Sequence, residues 1–95
     1  MAKVFHPGHH PLHGVTVVLE TRGPRTYVGR FDLEDEGGVH LLDVGVHDAR
    51  ASDQSKGEYL RRTAKFGVRP ERKHLVVPRA EVERITPLGE LVPEG

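Results

Sequence analysis

The feature that most constrains the fold of this chain is a period-two alternation of apolar and polar side chains, repeated in short runs between turns. In residues 26–34, one side of the run carries Tyr27, Gly29, Phe31 and Leu33, and charged residues dominate the other side. Successive side chains of a β-strand point to opposite faces. The pattern therefore predicts a strand with one face on a core and the other in water.

Four more runs of this kind predict further strands, and turns rich in Gly, Pro or Asp separate them. The five predicted strands are 15–20, 26–34, 39–46, 75–78 and 82–86. Residues 48–72 break the rhythm, and a plain loop of that length is unusual in a compact domain. This excursion is predicted either to hold a short helix around 57–65 or to be ordered only in part. The predicted fold is all-β: a small, strongly bent five-stranded barrel, with the basic excursion between strands 3 and 4.

The length of 95 residues allows one domain. A His-, Pro- and Gly-rich arm is predicted at 1–13, the barrel at 14–88 and a frayed tail at 89–95. The chain has no Cys, which excludes disulfides and thiolate metal sites. It lacks a signal peptide and a long apolar run, so a cytoplasmic protein with no membrane partner is expected. The ten Arg against four Lys, and the absence of Asn, favour a thermophilic source, and a high-GC genome would give much the same Arg bias.

Charge is balanced over the whole chain but not along it. Residues 50–73 carry eight Lys and Arg against three Asp and Glu, a net charge of +5. Basic residues interleaved with aromatics can contact phosphates and stack on unpaired bases. A solvated loop, or a short amphipathic helix that docks on a partner, would show the same pattern. The predicted nucleic-acid-binding residues are Tyr59, Arg61, Arg62, Lys65, Phe66, Arg69, Arg72 and Lys73.

Four histidines fall within eight residues of the N-terminal arm: His6, His9, His10 and His13. Neutral imidazole binds Zn²⁺, Ni²⁺ or Cu²⁺, so these four are candidate metal ligands. Their spacing matches no zinc motif, and the other interpretation is an arm that packs across the barrel or contacts a neighbour. No other cofactor is expected. The remaining histidines, His40, His47 and His74, are isolated in sequence and are interpreted as strand or loop residues.

Residues that carry enzyme chemistry are poorly represented. Ser52 and Ser55 lack a nucleophile-elbow context, and no glycine-rich phosphate loop occurs. The acidic run 34–36 lacks the ligand spacing of a calcium loop and is interpreted as a solvated hairpin tip. The sequence therefore predicts a protein that is not an enzyme.

Two short stretches resemble the motifs of the Sm-like family, the small bent barrels of Sm, LSm and Hfq proteins. Gly29, Asp35 and the run 39–43 resemble the first motif, and 77–85 resembles the second, within a likeness that covers residues 14–87. The motifs are short and apolar, and other small barrels of the SH3-like or PRC-like kind could show them too. The resemblance implies that the last two strands pair between subunits to close a ring of six or seven copies, and that loops near the pore bind RNA.

The RNA-contact motifs of that family are divergent in this chain. Val39 stands where the family has an RNA-contacting Asn, and Pro78-Arg79 replaces an Arg-Gly pair. Only Asp35 carries over, as a loop organiser. The leading hypothesis is a ring-forming Sm-like module that binds RNA or another polyanion through its basic loop. The alternatives are a structural or protein-interaction oligomer without nucleic-acid binding, and a metal-binding module built on the histidine cluster.

Overall fold

Five strands and two helices make up the computed structural model, which describes residues 10–92. The strands are β1 (Thr16–Thr21), β2 (Arg25–Asp35), β3 (Gly38–Asp48), β4 (Arg72–Val77) and β5 (Val82–Pro87). The helices are α1 (Lys56–Phe66), between β3 and β4, and α2 (Leu88–Leu91), after β5. A 3₁₀ turn, Arg79–Glu81, joins β4 to β5. The predicted β-rich fold with five strands is confirmed, and the excursion contains a helix.

All strand pairings are antiparallel, and the strands lie in the order β4-β3-β2-β1-β5. The predicted barrel is not closed: within residues 10–92 no ladder joins β4 to β5. The two strands flank a three-residue turn but pair with different partners, β4 with β3 and β5 with β1. The sheet therefore ends in two edges.

Both faces of the sheet are covered by apolar side chains. The larger cluster lies on one face of the sheet and is centred on buried Leu19, Phe31 and Leu41. The smaller cluster lies on the opposite face, where Val18 and Val28 contact the helices α1 and α2. Because Val18 follows Val17 of the larger cluster directly, the alternation along β1 supplies both clusters.

Irregularities in the ladders bend the sheet. The register between β2 and β3 shifts at Asp32 and again opposite Gly29, where Asp43 takes a φ of 51°. A bulge adds a residue to one strand and increases its local twist, which lets a small sheet curve around a core. At Gly29 a Cβ would lie 2.9 Å from the carbonyl oxygen of Leu42, so glycine permits the close approach of the two strands.

Local signals explain why α1 forms. The side chain of Ser55 accepts a hydrogen bond from the backbone N–H of Glu58, which caps the first turn. Gly67 ends the helix at a φ of 93°, and its N–H donates to the carbonyl of Thr63. Leu60 and Thr63 are buried one turn apart on the face that meets the sheet.

The predicted frayed tail, 89–95, contains the last three residues of α2. In α2, Leu88 is buried against the smaller apolar cluster, and the N–H of Val92 donates to the carbonyl of Leu88. Burial of Leu88 fixes the first turn after β5, and the sequence pattern did not predict this contact. The remaining residues of that tail, 93–95, lie outside the described residues. Neither helix is long and apolar enough to cross a membrane.

Candidate nucleic-acid interface

The six predicted basic residues occupy three consecutive parts of the chain. Arg61, Arg62 and Lys65 lie on α1, and Arg69 lies on the loop that follows it. The last two, Arg72 and Lys73, are the first residues of β4, whereas Arg72 was predicted to end the excursion 48–72. All six side chains are exposed. They are called the basic surface below.

The pairing of charges separates these six residues from the other basic residues. Six Lys and Arg outside the basic surface lie within 4.0 Å of a carboxylate: Arg25, Arg30, Arg50, Lys56, Arg79 and Arg84. Arg22 instead donates from Nε to the carbonyl of Ala80, at 3.0 Å. Among residues 10–92, no carboxylate pairs with any residue of the basic surface. No carboxylate of the described residues therefore neutralises its positive charge, which is left to attract solvent ions.

A groove of ≈ 570 Å³ lies between the C-terminal half of α1 and the loop that follows it. Positions 59, 62, 63 and 66 present one helical face to the groove, and Val68 and Arg69 supply the opposite wall. Arg62 and Arg69 thus bring two cations of the basic surface to one concavity. A groove of this size accommodates a nucleotide-sized ligand.

Phe66 is the exposed aromatic residue of this region, with 70% of its surface accessible. The guanidinium carbon of Arg62 lies 5.8 Å from the ring centroid, and Nζ of Lys65 lies 5.4 Å from it. Cations at these distances are attracted by the π-system of the ring. An apolar ring flanked by two cations presents a stacking surface beside phosphate-binding groups.

Tyr59, the other predicted aromatic, is part of the groove wall and is half-buried. Its ring packs on His47, with centroids 5.2 Å apart. At Gly45 a Cβ would lie only 2.6 Å from the Tyr59 hydroxyl, so glycine makes room for the phenol. Burial raises the pKa of Tyr59, and the charge of Glu71 adds to the rise, against a hydrogen bond from Thr63. Tyr59 therefore shapes the groove, and Phe66 is the ring available for stacking.

Glu71 follows Arg69 by two residues, and its backbone connects the loop to the sheet. Its N–H donates to the carbonyl of Val44 at 2.7 Å, and its carboxylate accepts from the N–H of Val46 at 3.4 Å. These bonds hold the end of the loop, and with it Arg69, next to β3. The loop wall of the groove is therefore attached to β3 by two hydrogen bonds.

Asp35, the predicted loop organiser, ends β2 at the turn into β3. Its carboxylate accepts from the N–H of Gly37 at 2.9 Å and from Nε2 of His40 at 3.0 Å. These two bonds, the one from His40 first, lower the pKa of Asp35. Nδ1 of His40 in turn lies 3.0 Å from Nε2 of His74, although the two residues are 34 positions apart in the sequence. The signal that could have found this pair is the antiparallel register of β3 and β4, which sets Leu42 opposite His74.

The N-terminal histidines are described only in part, because His6 and His9 lie outside residues 10–92. Nδ1 of His10 accepts a hydrogen bond from the N–H of Leu12, and its ring lies 4.4 Å from that of Phe31. His13 bonds through Nδ1 to the carbonyl of Asp32. Both contacts place the end of the arm against β2. Among the described residues, no three His, Asp or Glu side chains surround a common point.

The two sheet edges carry half-buried apolar side chains. Leu75 on β4, and Val82 and Ile85 on β5, pack at the margin of the larger cluster and are each partly accessible. Within the described part of the chain, no strand pairs with the outer edge of β4 or of β5. Such edges are templates for pairing with another chain.

No family model and no curated protein matches this chain. Among solved structures, it is similar to a chain of the "Crystal structure of the NatC complex bound to CoA". The TM-score is 0.54 at 20% sequence identity, over 85% of this chain and 90% of that chain. At this identity, the likeness shows a shared fold.

Proposed function

We propose that this protein is an Sm-like module that binds single-stranded RNA through its basic surface. The observation that supports the proposal is the contrast in charge pairing. Six of the seven described Lys and Arg residues outside this surface are paired with carboxylates, whereas its six members are not. Cations held by carboxylates contribute little to phosphate binding, while unpaired cations can release the counterions of a nucleic acid.

The groove suggests how one nucleotide is bound. Arg62 and Arg69 line it and would contact phosphate, while the exposed ring of Phe66 would stack on a base. Recognition of this kind requires unpaired bases, because the faces of paired bases are already stacked in a duplex. The preferred ligand is therefore a single strand, and no sequence preference is expected from stacking and charge alone.

Fluorescence polarisation with a labelled oligouridylate of about ten nucleotides tests this proposal. If all six cations contact phosphate, log K falls with log salt at a slope of about −4, roughly a 300-fold loss between 50 and 200 mM. The double variant Arg62→Gln/Arg69→Gln should bind more weakly and lower the slope by about 1.4. Phe66→Ala should weaken binding without changing the slope, because it removes stacking and no charge.

The matched control is Arg50→Gln/Arg84→Gln. It removes the same charge from two exposed residues that have the longest pairing distances to carboxylates, 3.9 and 3.6 Å. We expect its affinity and slope to stay close to those of the unmodified protein. Equal losses in both double variants would mean that net charge, and not this surface, drives binding. Absence of binding at 50 mM salt would contradict the proposal outright.

A second candidate function is assembly through the two sheet edges, with β4 of one copy pairing with β5 of the next to form a ring of six or seven. The half-buried Leu75 and Ile85 favour it, because pairing would remove them from water. The similar chain in the NatC crystal structure is itself part of a complex, which favours membership of a protein assembly. A closed ring would also bring copies of the basic surface together and strengthen RNA binding.

Native mass spectrometry tests the assembly. We expect a hexamer or heptamer, with Leu75→Asp and Ile85→Asp each shifting the mass to that of a monomer. Leu33→Asp is the control, because Leu33 is half-buried on the interior strand β2 and outside both apolar clusters. A monomer for the unmodified protein at micromolar concentration would refute this candidate while leaving the RNA proposal intact.

A further inference from the structure

A chain of three side chains crosses from the turn after β2 to β4. Nε2 of His40 lies 3.0 Å from Oδ1 of Asp35, and Nδ1 of His40 lies 3.0 Å from Nε2 of His74. The two imidazole rings are inclined by only 25°, with centroids 5.1 Å apart. The side chain of His40 is 18% exposed, whereas His74 is exposed. Solvent therefore reaches the pair from the β4 side.

The hydrogen-bond chain fixes which nitrogens carry protons. An ionised carboxylate only accepts, so Nε2 of His40 donates to Asp35 and neutral His40 keeps its lone pair on Nδ1. His74 must then donate from Nε2 to that lone pair. Asp35 thus holds His40 in the tautomer and orientation in which Nδ1 faces the second imidazole. This arrangement of carboxylate, histidine and bare nitrogen is the one that orients histidine ligands in metal sites.

We propose that Nδ1 of His40 and Nε2 of His74 bind a divalent late first-row transition metal ion. With metal–imidazole bonds of about 2.0–2.1 Å, nitrogens 3.0 Å apart subtend about 95° at the metal. That angle matches adjacent positions of a square-planar or octahedral ion, and a tetrahedral ion would need nitrogens about 3.3 Å apart. Cu²⁺ and Ni²⁺ take such geometries with nitrogen ligands. The proposal does not depend on RNA binding.

Binding requires little rearrangement of the protein. The proton of His74 moves from Nε2 to Nδ1, and the two rings rotate so that both lone pairs point to one position beside the line that joins them. His40 already has the required tautomer, with Asp35 behind it as an outer partner that orients its ring. Because no third side chain of residues 10–92 surrounds this position, water fills the remaining coordination sites. Two histidine ligands and water are suited to reversible binding.

Isothermal titration of the full chain with Ni²⁺ tests the proposal, since Ni²⁺ has no competing redox chemistry under these conditions. We expect binding at this site to be lost in His74→Ala and weakened about 10- to 100-fold in Asp35→Asn, which keeps the size of the side chain but not its charge. His6→Ala/His9→Ala is the control for the N-terminal histidines and should retain this binding event. Unfolding curves without metal verify that each variant folds.

A second readout identifies the ligands directly. With Cu²⁺ as the probe, electron paramagnetic resonance should show hyperfine coupling to two imidazole nitrogens, reduced to one in His74→Ala. The proposal is overturned if the His6→Ala/His9→Ala variant loses all Ni²⁺ binding while His74→Ala keeps it. It is equally overturned if the unmodified protein binds no Ni²⁺ at submillimolar concentration, in which case the two histidines are only a hydrogen-bonded pair.

Discussion

Among the described glycines, Gly38 is the one at which substitution by alanine should destabilise the fold most. It begins β3 at a φ of 134°, where a Cβ would lie 2.2 Å from the carbonyl oxygen of Val77 and 2.8 Å from its carbonyl carbon. Backbone atoms cannot rotate away as a side chain can, so Gly38→Ala must push the end of β4 outward. Val77 is only 2% exposed and belongs to the larger apolar cluster, so the shift also disturbs the core.

The expected cost has two parts. A non-glycine residue held in an unfavourable backbone region costs about 1–3 kcal/mol, and overpacking costs about 1–3 kcal/mol more. The total of about 2–6 kcal/mol is a large share of the roughly 5–15 kcal/mol that stabilises a typical domain. With a urea m-value near 2 kcal/mol/M, the unfolding midpoint should fall by about 1–3 M.

Two other glycines distinguish the cost of backbone strain from the cost of overpacking. Gly67→Ala tests backbone strain alone, because its φ is 93° but no atom lies within 4 Å of the added Cβ; we expect a loss of about 1–2 kcal/mol. Gly37→Ala has neither a positive φ nor a clash with backbone, and should change stability by less than about 1 kcal/mol. Urea unfolding followed by circular dichroism ranks the three variants. If Gly38→Ala is no worse than Gly67→Ala, the inferred close packing of the turn on β4 is wrong.

Three further predictions concern α1, α2 and the β2–β3 turn. Ser55→Ala should lower the free energy of unfolding by about 0.5–2 kcal/mol, because it removes the hydrogen bond to the N–H of Glu58, whereas Ser55→Asp should restore it. Leu88→Ala should cost about 2–5 kcal/mol in urea unfolding if α2 packs as described, and almost nothing if residues 88–91 are frayed. Asp35 has its pKa lowered from 3.8, so its ionised form stabilises the fold at neutral pH, and that contribution is lost as the pH falls through the lowered value. Thermal unfolding between pH 2 and pH 6 should therefore show a smaller acid-induced loss for Asp35→Asn than for the unmodified protein; identical pH profiles would contradict the assigned bonds.

The alternation of side chains predicted the strands well where the ladders are regular. Tyr27 and Phe31 lie in the larger cluster and Val28 in the smaller one, as the period of two requires. Leu33 was predicted to share the core face with Phe31, but it belongs to neither apolar cluster. The register shift at Asp32 pairs it with His40 and so turns it away from that face. A bulge inserts one residue without any marker in the composition, so alternation alone assigns the wrong face beyond it.

The sequence did not predict where β4 starts or which site residues lie together, because both depend on contacts between distant segments. Arg72, Lys73 and His74 are charged or polar, and the pattern placed them outside a strand that was predicted to begin at Leu75. Pairing of Arg72 with Val44 and of His74 with Leu42 extends the ladder through them. The same pairing brings His74 to His40, which lies 34 residues earlier. Sequence indicated the excess of basic residues in 50–73, but not which of them are neutralised by carboxylates.

The apolar clusters on both faces of the sheet have a consequence for how the molecule opens. β1 and β2 are the strands that supply both clusters, so their amide protons should exchange with solvent only when the whole domain unfolds. Amides on the outer sides of β4 and β5 have one face of the ladder open and should exchange far sooner. With slow amide exchange in β1 and β2 and fast exchange at the outer edges, β4 and β5 can rearrange around a ligand or another subunit while the middle strands keep their shape.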